Sequence, residues 1–400
     1  MNTVIFHIDV NSAFLSWSAV HKLNNGSPLD LRTVPSVIGG DSSKRHGIVL
    51  AKSIPARKFQ IKTGEPIVHA LRKCPNLIIE PPDHEMYESC SAKLMALLMD
   101  FCPELEQVSI DECYLDYSQI AHRYSSYMEA AILIKETVCR TLGFTVNIGI
   151  SDRKVLAKMA SDFEKPNLIH TLFSYEIASK MWPMPVDSLY MCGKSSVEVL
   201  KKLGITTIGD LAKADPDILT SHLKSHGKLL WEYANGIDTS NIEIVREQLK
   251  GIGNSTTMVQ DAVTYEEARK VLLGLCETVS HRLRESGKLA CMISVEIKYS
   301  TFQSVSHQKM LAVPANGCNC LFENACILFQ EIWNSNPVRL LGVRTSKLVP
   351  LETPIQLSLF DTEQTKSVSQ KQLKADRLMD EVRNKYGSDA LVRGSLYHKH

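Results

Sequence analysis

A chain of 400 residues, 44% hydrophobic and 22% charged, is too long for one ordinary core and has the composition of a globular protein of two to four domains. Its formal net charge of +1 gives no global signal for nucleic acid or for a membrane surface. No apolar run is long enough to span a bilayer, no basic segment followed by an apolar one opens the chain, and eleven cysteines, an odd number, point to free thiols in a reducing compartment.

In chain order, the apolar run over residues 4–8 predicts a buried strand ending near Asp9, with a helix over 11–23 behind it. Gly39-Gly40-Asp41 marks a turn before a short strand over 48–51. A helix is expected over 85–101, where Leu94, Leu97, Leu98 and Phe101 share a face. Strands over 107–110 and 113–116 read as a hairpin around Asp111 and Glu112. A long helix over 124–142 stops at Gly143, and the β-branched stretch 145–150 predicts a strand. Residues 166–240 change character to short helices separated by Gly, Pro and Asp; 197–203, Gly204 and 207–212 read as helix, tight turn, helix, with a weaker version over 227–234. Residues 241–255 are polar, carry two glycines and read as a linker. A second α/β unit follows, with helices over 265–286 and 320–333 and strands over 290–299 and 338–348. From His281 to Pro350 eight Lys/Arg stand against four Asp/Glu, which suits a modest basic surface or an ordinary solvated one. Beyond Pro350 the chain is polar, and residues 370–386 read as a helix that needs a partner.

Chemistry concentrates in a few segments. Ser109-Ile110-Asp111-Glu112 pairs adjacent acids between strand-like residues, and Asp9 ends an apolar strand upstream. Carboxylates are costly to bury unless a cation meets them, so three at strand ends suit hard divalent ions and phosphoryl displacement; the other reading is acids that cap strands or face solvent. Phe14 falls on the first turn after Asp9, as a ring beside bound phosphate or as a core aromatic. Ala56-Arg57-Lys58-Phe59 places two cations at what reads as a helix start, unfavourable against the helix dipole unless an anion such as a triphosphate lies there; an exposed basic turn is the alternative. Lys158 and Lys165 bracket a helix, and Pro166 favours extended backbone at Lys165, aiming its ammonium at phosphate or at solvent. Leu203 to Leu211 is a helix-hairpin-helix pattern whose backbone N–H groups suit a DNA phosphate. Gln356-Leu357-Ser358-Leu359-Phe360, apolar within a polar tail, reads as a short docking peptide or a strand tucked onto its neighbour. Cys318, Cys320 and Cys326 lack the paired spacing of common zinc sites and read as small buried hydrophobes.

Together these segments resemble the Y-family (translesion) DNA polymerases, most closely the bacterial polymerase IV-like (DinB) branch, over residues 3–360. The resemblance rests on Asp9-Val10-Asn11, Ala56-Arg57-Lys58-Phe59, Ser109 to Asp116, Gly149-Ile150-Ser151, Lys165-Pro166-Asn167 and the hairpin ending in Gly209-Asp210-Leu211. Arg282-Leu283-Arg284 and Leu341-Gly342-Val343-Arg344 match the family's last domain. It implies an α+β multidomain right hand: a ferredoxin-like palm (1–10 and 76–165), small fingers (11–75), a helix-hairpin-helix thumb (166–240), a linker (241–255), an α/β little finger (256–350) and a tail (351–400). Asp9, Asp111 and Glu112, with the Val10 carbonyl, would bind two Mg2+ ions. Phe14 would be the steric gate against a 2′-hydroxyl, Arg57 and Lys165 would hold the incoming triphosphate, and Gln356, Leu357, Leu359 and Phe360 would dock on the sliding clamp. The implied activity is template-directed addition of dNTPs to the primer of a primer-template DNA, at low fidelity and past damaged bases, by a monomer in the bacterial cytoplasm without membrane attachment.

The chain also departs from the family pattern. Ile54-Pro55 stand where Tyr-Glu is common, Asn11 where many relatives carry Asp, Met191-Cys192-Gly193 in place of Gly-Ile-Gly, and Asp152-Arg153-Lys154 in place of an Asn-Lys pair. Residues 361–400 extend beyond the family core. A catalytically silent scaffold for primer-template and clamp would tolerate loss of the three acids, which this chain keeps; a nucleotidyl cyclase on a similar palm would lack the hairpin and the tail peptide.

Overall fold

In the computed structural model, residues 3–40, 47–244, 249–353, 363–387 and 390–396 are described, side chains of 363–370 excepted. They fall into two units, the first reaching to residue 246 and the second from residue 247 on.

The first unit opens with β1 (Ile5–Val10) and α1 (Ala13–Asn24). A small sheet follows, with β2 (Ser36–Gly39), β3 (Val49–Lys52), α2 (Ile54–Arg57), α3 (Ile67–Lys73) and β4 (Ile78–Glu80), its strands ordered β3-β2-β4. The chain then runs through α4 (His84–Phe101), β5 (Leu105–Gln107), β6 (Glu112–Asp116), α5 (Tyr127–Leu142), β7 (Val146–Ser151), α6 (Lys154–Ser161) and β8 (Ile169–Thr171). These complete a five-stranded sheet in the order β5-β6-β1-β7-β8.

β1 is buried along its whole length because both faces of this sheet are covered. Side chains alternate across a strand, so Phe6, Ile8 and Val10 join the core built from α1, α4 and α5, with Trp17, Tyr87, Leu98, Ile134 and Val138. Ile5, His7 and Asp9 take the other face, toward α6. α6 lies directly on β7 at Gly149, where a Cβ would come within 2.0 Å of the Ala157 carbonyl oxygen and 2.4 Å of the Ser161 nitrogen, so only glycine fits.

The first unit ends in short helices: α7 (Ile177–Lys180), α8 (Lys194–Lys202), α9 (Ile208–Lys213), α10 (Pro216–Leu223) and α11 (Ser225–Ala234). Between α8 and α9, Gly204 has φ +79°. Thr207 caps α9 by accepting from the Asp210 N–H at 3.0 Å, while the Asp210 carboxylate accepts from the Thr207 N–H at 2.9 Å.

The second unit contains β9 (Gly251–Ala262), α12 (Tyr265–Glu285), β10 (Lys288–Tyr299), β11 (Ser304–Ala315), α13 (Cys318–Ile332) and β12 (Val338–Pro350). Its antiparallel sheet has the order β11-β10-β12-β9, with α12 and α13 packed over one face. The tail helix α14 (Glu363–Tyr386) docks on these helices. Arg284 of α12 donates to Asp380 at 2.6 Å, and Asp376 accepts from the Cys318 N–H at 2.9 Å, supplying an anion to the start of α13.

Several boundaries differ from the sequence reading. Residues 108–110 leave the strand and, with Asp111, form the bend between β5 and β6, where Ser109 Oγ bonds both the Asp111 carboxylate and its N–H, while Glu112 opens β6 instead of preceding it. The expected linker over 241–255 already contains the first residues of β9, and β11 was not foreseen. Both are edge strands, with mostly exposed or half-buried side chains and weak apolar alternation. The tail helix begins at Glu363 rather than at 370 and has its partner in the second unit. All eleven cysteines are free thiols, with Cys318 and Cys326 buried. Among the described residues, no helix is long and apolar enough to cross a membrane.

Candidate active site

Asp9, near the end of β1, pairs in register with Glu112, the first residue of β6. Both carboxylates meet α6. Lys158 Nζ lies 2.6 Å from Glu112 Oε1, 3.4 Å from Asp9 Oδ2 and 3.3 Å from Asp162 Oδ2. Lys165 Nζ lies 3.0 Å from Asp9 Oδ2 and 2.8 Å from Asp162 Oδ1. The i, i+4 spacing of Lys158 and Asp162 puts both on one helical flank. Three carboxylates and two ammonium groups thus share one cluster at the strand ends.

Burial sets the electrostatics. It pushes the Asp9 carboxyl up to about 6, against the pull of Lys165 and Lys158. Glu112 is buried less; burial raises it too, but the Lys158 ammonium bonded at 2.6 Å more than offsets this and holds it well below the usual carboxylate range. Burial opposes the charge on Lys158 and Lys165, yet the surrounding carboxylates raise both above the ordinary lysine value. His7 is fully buried, which lowers its pKa; its Nδ1 bonds Ser161 Oγ at 2.8 Å and its Nε2 stands 3.7 Å from Glu112 Oε2, beyond hydrogen-bond reach.

The donor set is all oxygen, and three carboxylates share only two ammonium groups, which fits a hard divalent cation. The third expected ligand is turned elsewhere: Asp111 Oδ1 accepts from Ser109 Oγ at 2.7 Å. The Asp111 backbone is close, since the Val10 N–H donates to its carbonyl at 3.1 Å. Among the described residues, no group of three His, Cys, Asp or Glu is already assembled as a metal cage. Asp9 and Glu112 are therefore brought together, whereas the Asp111 carboxylate is held by Ser109 and does not join them.

Phe14 is half-buried at the start of α1, stacked on Tyr87 with ring centroids 4.4 Å apart and planes 6° from parallel. It is at once a packing residue and a partly presented ring. Arg57 is exposed and sits at the end of α2, not at its start; Ser53 caps that helix, accepting from the Ala56 N–H at 3.1 Å. Contrary to the expected helix start, Arg57 and Lys58 lie at the C-terminal end of α2, where the dipole favours cations without any bound anion. Residues 356–360 lie outside the described residues.

Several contributors escaped the sequence reading. Asn11 Oδ1 accepts from the Asn167 N–H at 2.8 Å and from Thr145 Oγ1 at 2.9 Å, while its amide donates to Asn147 Oδ1 at 3.0 Å. This buried amide pair ties β1 and β7 to the loop carrying Lys165, and Asp at position 11 would lack the donor. Asp162 was legible in principle from its spacing to Lys158 and Lys165; His7 was signalled by sharing the parity of Asp9 on β1.

On the second unit, the sheet face away from α12 and α13 carries a polar concavity of about 870 Å³ lined by Asn254, Ser294, Glu296, His307 and Arg344 among others. Arg344 lines it, whereas Arg284 is spent on the tail carboxylates.

Comparison with known proteins bears on these features. Residues 8–162 match the impB/mucB/samB family and residues 249–359 match the impB/mucB/samB family C-terminal domain. The chain is 47% identical to DNA polymerase IV of Clostridium acetobutylicum over 399 residues, covering 100% of this chain and 99% of that one. It is 34% identical to DNA polymerase IV of Alkaliphilus oremlandii over 401 residues, covering 99% of each chain. It is 34% identical to DNA polymerase IV 1 of Bacillus subtilis over 398 residues, covering 99% of this chain and 94% of that one. Among solved structures, the Y-family DNA polymerase chimera Dbh-Dpo4(243-245)-Dbh superposes with a TM-score of 0.74 at 22% identity, covering 87% of this chain and 99% of that chain, a likeness of fold.

Proposed function

The chain belongs to the impB/mucB/samB family of Y-family DNA polymerases, polymerase IV among them, and on that footing we propose that it extends primed DNA past damaged bases at the site formed by Asp9, Asp111 and Glu112. It is a DNA-directed DNA polymerase, an α+β multidomain enzyme of the translesion class. The observation that carries the site assignment is the pairing of Asp9 with Glu112 across β1 and β6, with cationic nitrogen held between their carboxylates.

Residues 1–10 and 76–165, with most of the five-stranded sheet and with α4 and α5, serve as palm, residues 11–75 as fingers, 166–240 as thumb and 256–350 as little finger. The family is divalent-metal dependent, and two Mg2+ ions are the number proposed here. When bound, such ions lower the pKa of an attacking hydroxyl and stabilise the leaving oxygen of an in-line phosphoryl displacement. Asp9 and Glu112 would hold them, with Asp111 and the Val10 carbonyl added when Asp111 leaves Ser109. The primer 3′-hydroxyl attacks the α-phosphate of a dNTP, and pyrophosphate leaves. Lys165 and Arg57 neutralise the triphosphate. The Phe14 ring, fixed from behind by Tyr87, leaves no room for a 2′-hydroxyl. The N–H groups of the α8–α9 hairpin meet DNA phosphates without reading sequence. Gln356, Leu357, Leu359 and Phe360 dock on the sliding clamp. A monomer in the bacterial cytoplasm and low fidelity complete the reading.

Primer extension on an undamaged template with Mg2+ and all four dNTPs, wild type beside Asp111→Ala, tests it. Extension by the wild type alone supports the site. No extension by either, with DNA still bound, would favour a silent scaffold.

A further inference from the structure

We propose that Lys158 is the resident counter-ion of the acid pair: its ammonium occupies the place of a divalent cation between Asp9 and Glu112, competes with that cation, and moves off when it binds. This deepens the site assignment above and rests on it.

Lys158 is a poor candidate for a purely structural ion pair. Its side chain is 9% exposed, and three carboxylates crowd one ammonium: Glu112 at 2.6 Å, Asp162 at 3.3 Å and Asp9 at 3.4 Å. A cation touching both Asp9 and Glu112 would lie against Lys158 Nζ, and two like charges in so dry a place repel strongly. One of them must go. The backbone of α6 cannot yield, because Gly149 lets it rest on β7 with no room even for a methyl group. Only the side chain can move. Asp162, with its side chain 47% exposed, gives the ammonium a carboxylate to keep on the solvent side of the pair, and Asp162 already holds Lys165 there at 2.8 Å. Lys158 then faces the side from which a polyanionic triphosphate would arrive. Metal entry and nucleotide capture are in this way coupled through one side chain: the cation frees an ammonium that the nucleotide can use.

A structural pillar and a competing counter-ion differ in sign. Removing a pillar loosens the acid pair and weakens metal binding; removing a competitor tightens it. Mn2+ binding to the full chain, stripped with chelator and free of DNA and dNTP, is read from the free-ion signal in electron paramagnetic resonance. Wild type is compared with Lys158→Met, Lys158→Gln, Lys154→Met and Glu112→Gln. Both Lys158 variants should bind Mn2+ about tenfold more tightly than wild type. Lys154→Met is the charge control: it removes the same charge from the same helix but pairs with Glu106 at 2.6 Å, and should change affinity by less than about threefold. Lys158 variants that bind no better than Lys154→Met, or worse than wild type, overturn the proposal. Glu112→Gln reads the underlying assignment separately, since unchanged Mn2+ binding there would mean that the metal site itself is misplaced. Should neither Lys158 variant fold, wild type labelled with 15N at lysine Nζ is titrated with Mg2+. An ammonium resonance still present in Lys165→Met must then shift, and none shifting would equally refute the displacement.

Discussion

Glu112 Oε1 and Lys158 Nζ lie 2.6 Å apart, joining the first residue of a central strand to the middle of the helix that covers it. The bond keeps Glu112 ionised at any working pH, so this carboxylate needs no deprotonation before it can take a cation. Glu112→Ala should therefore lower the rate of nucleotide addition by about a hundredfold to a thousandfold or more, without weakening primer-template binding. The fold should survive, because Lys158 keeps Asp9 and Asp162 as partners. Single-turnover extension and fluorescence anisotropy with labelled DNA separate the two quantities. Parallel loss of both would place Glu112 in DNA binding rather than in chemistry.

Asp9 behaves in the opposite way. Its folded-state value of about 6 lies above the ordinary 3.8, so folding favours its neutral form. That contribution is complete below about pH 4 and is lost as pH rises through 6, on the order of 2–3 kcal/mol in the metal-free enzyme. A cation reverses the preference by favouring the anion. Mn2+ affinity should fall about tenfold per pH unit below 6 and level off above it. Thermal melts with chelator and with Mn2+, from pH 4.5 to 8, would show the two curves converging in acid. In Asp9→Asn both the pH slope and the Mn2+ stabilisation should vanish; a slope that persists would belong to another group.

Phe14 has two duties that one variant can separate. Its stack on Tyr87 continues into Trp17, whose ring centroid is 5.9 Å from that of Tyr87. Phe14→Ala should cost about 1–3 kcal/mol, the lower end of aromatic truncations because the ring is only half-buried. It should also reduce discrimination between dCTP and CTP by about tenfold to a hundredfold. Stability lost with discrimination unchanged would mean that the ring is packing only.

The acids at strand ends were legible because a carboxylate next to a buried strand is anomalous by itself; the parity on β1 that puts His7 on the face of Asp9 was missed. The partners of those acids were not legible, since Lys158 reaches Asp9 across 149 positions of sequence and only the packing of α6 on β7 decides it. Arg57 was misplaced on its helix although Ser53, a good capping residue, and Pro55 together signal a start before it. β9 and β11 were missed for a different reason: an edge strand with one solvated face needs little apolar patterning, so it reads like a linker. The charges of the tail looked solvated because their partners lie on α12, about a hundred residues away.

Those tail charges make a sharper prediction. Asp376 has 5% side-chain exposure, pairs with Arg393 at 2.7 Å, lies 3.6 Å from Arg284 and accepts from the Cys318 N–H. In Asp376→Ala the Arg284 and Arg393 guanidinium groups keep Asp380 and Glu277, but the Cys318 N–H loses its acceptor, and the second unit should be destabilised by about 1–3 kcal/mol. Asp376→Asn keeps the bond to the Cys318 N–H and should cost less. Trp333 belongs to the second unit, whereas Trp17, Trp182 and Trp231 belong to the first, so urea melts of a chain in which those three are replaced by Phe report the second unit alone. Unaltered unfolding in Asp376→Ala would show that α14 merely rests on its neighbour.

The turn before α8 carries strain that a single residue can relieve. Met191 has φ +68° and is 52% exposed, so its side chain gives little in return for a left-handed backbone. That conformation costs an ordinary residue about 1–2 kcal/mol, while glycine adopts it freely and loses about 0.5–1 kcal/mol in extra unfolded-state entropy. Met191→Gly should accordingly stabilise the first unit by about 0.5–1 kcal/mol, whereas Met191→Ala, which keeps the Cβ, should not. The comparison of the two is the test, because both remove the same exposed side chain. Equal melting temperatures for Gly and Ala would mean that the turn relaxes in solution. A gain confined to Gly would place the cost in the backbone.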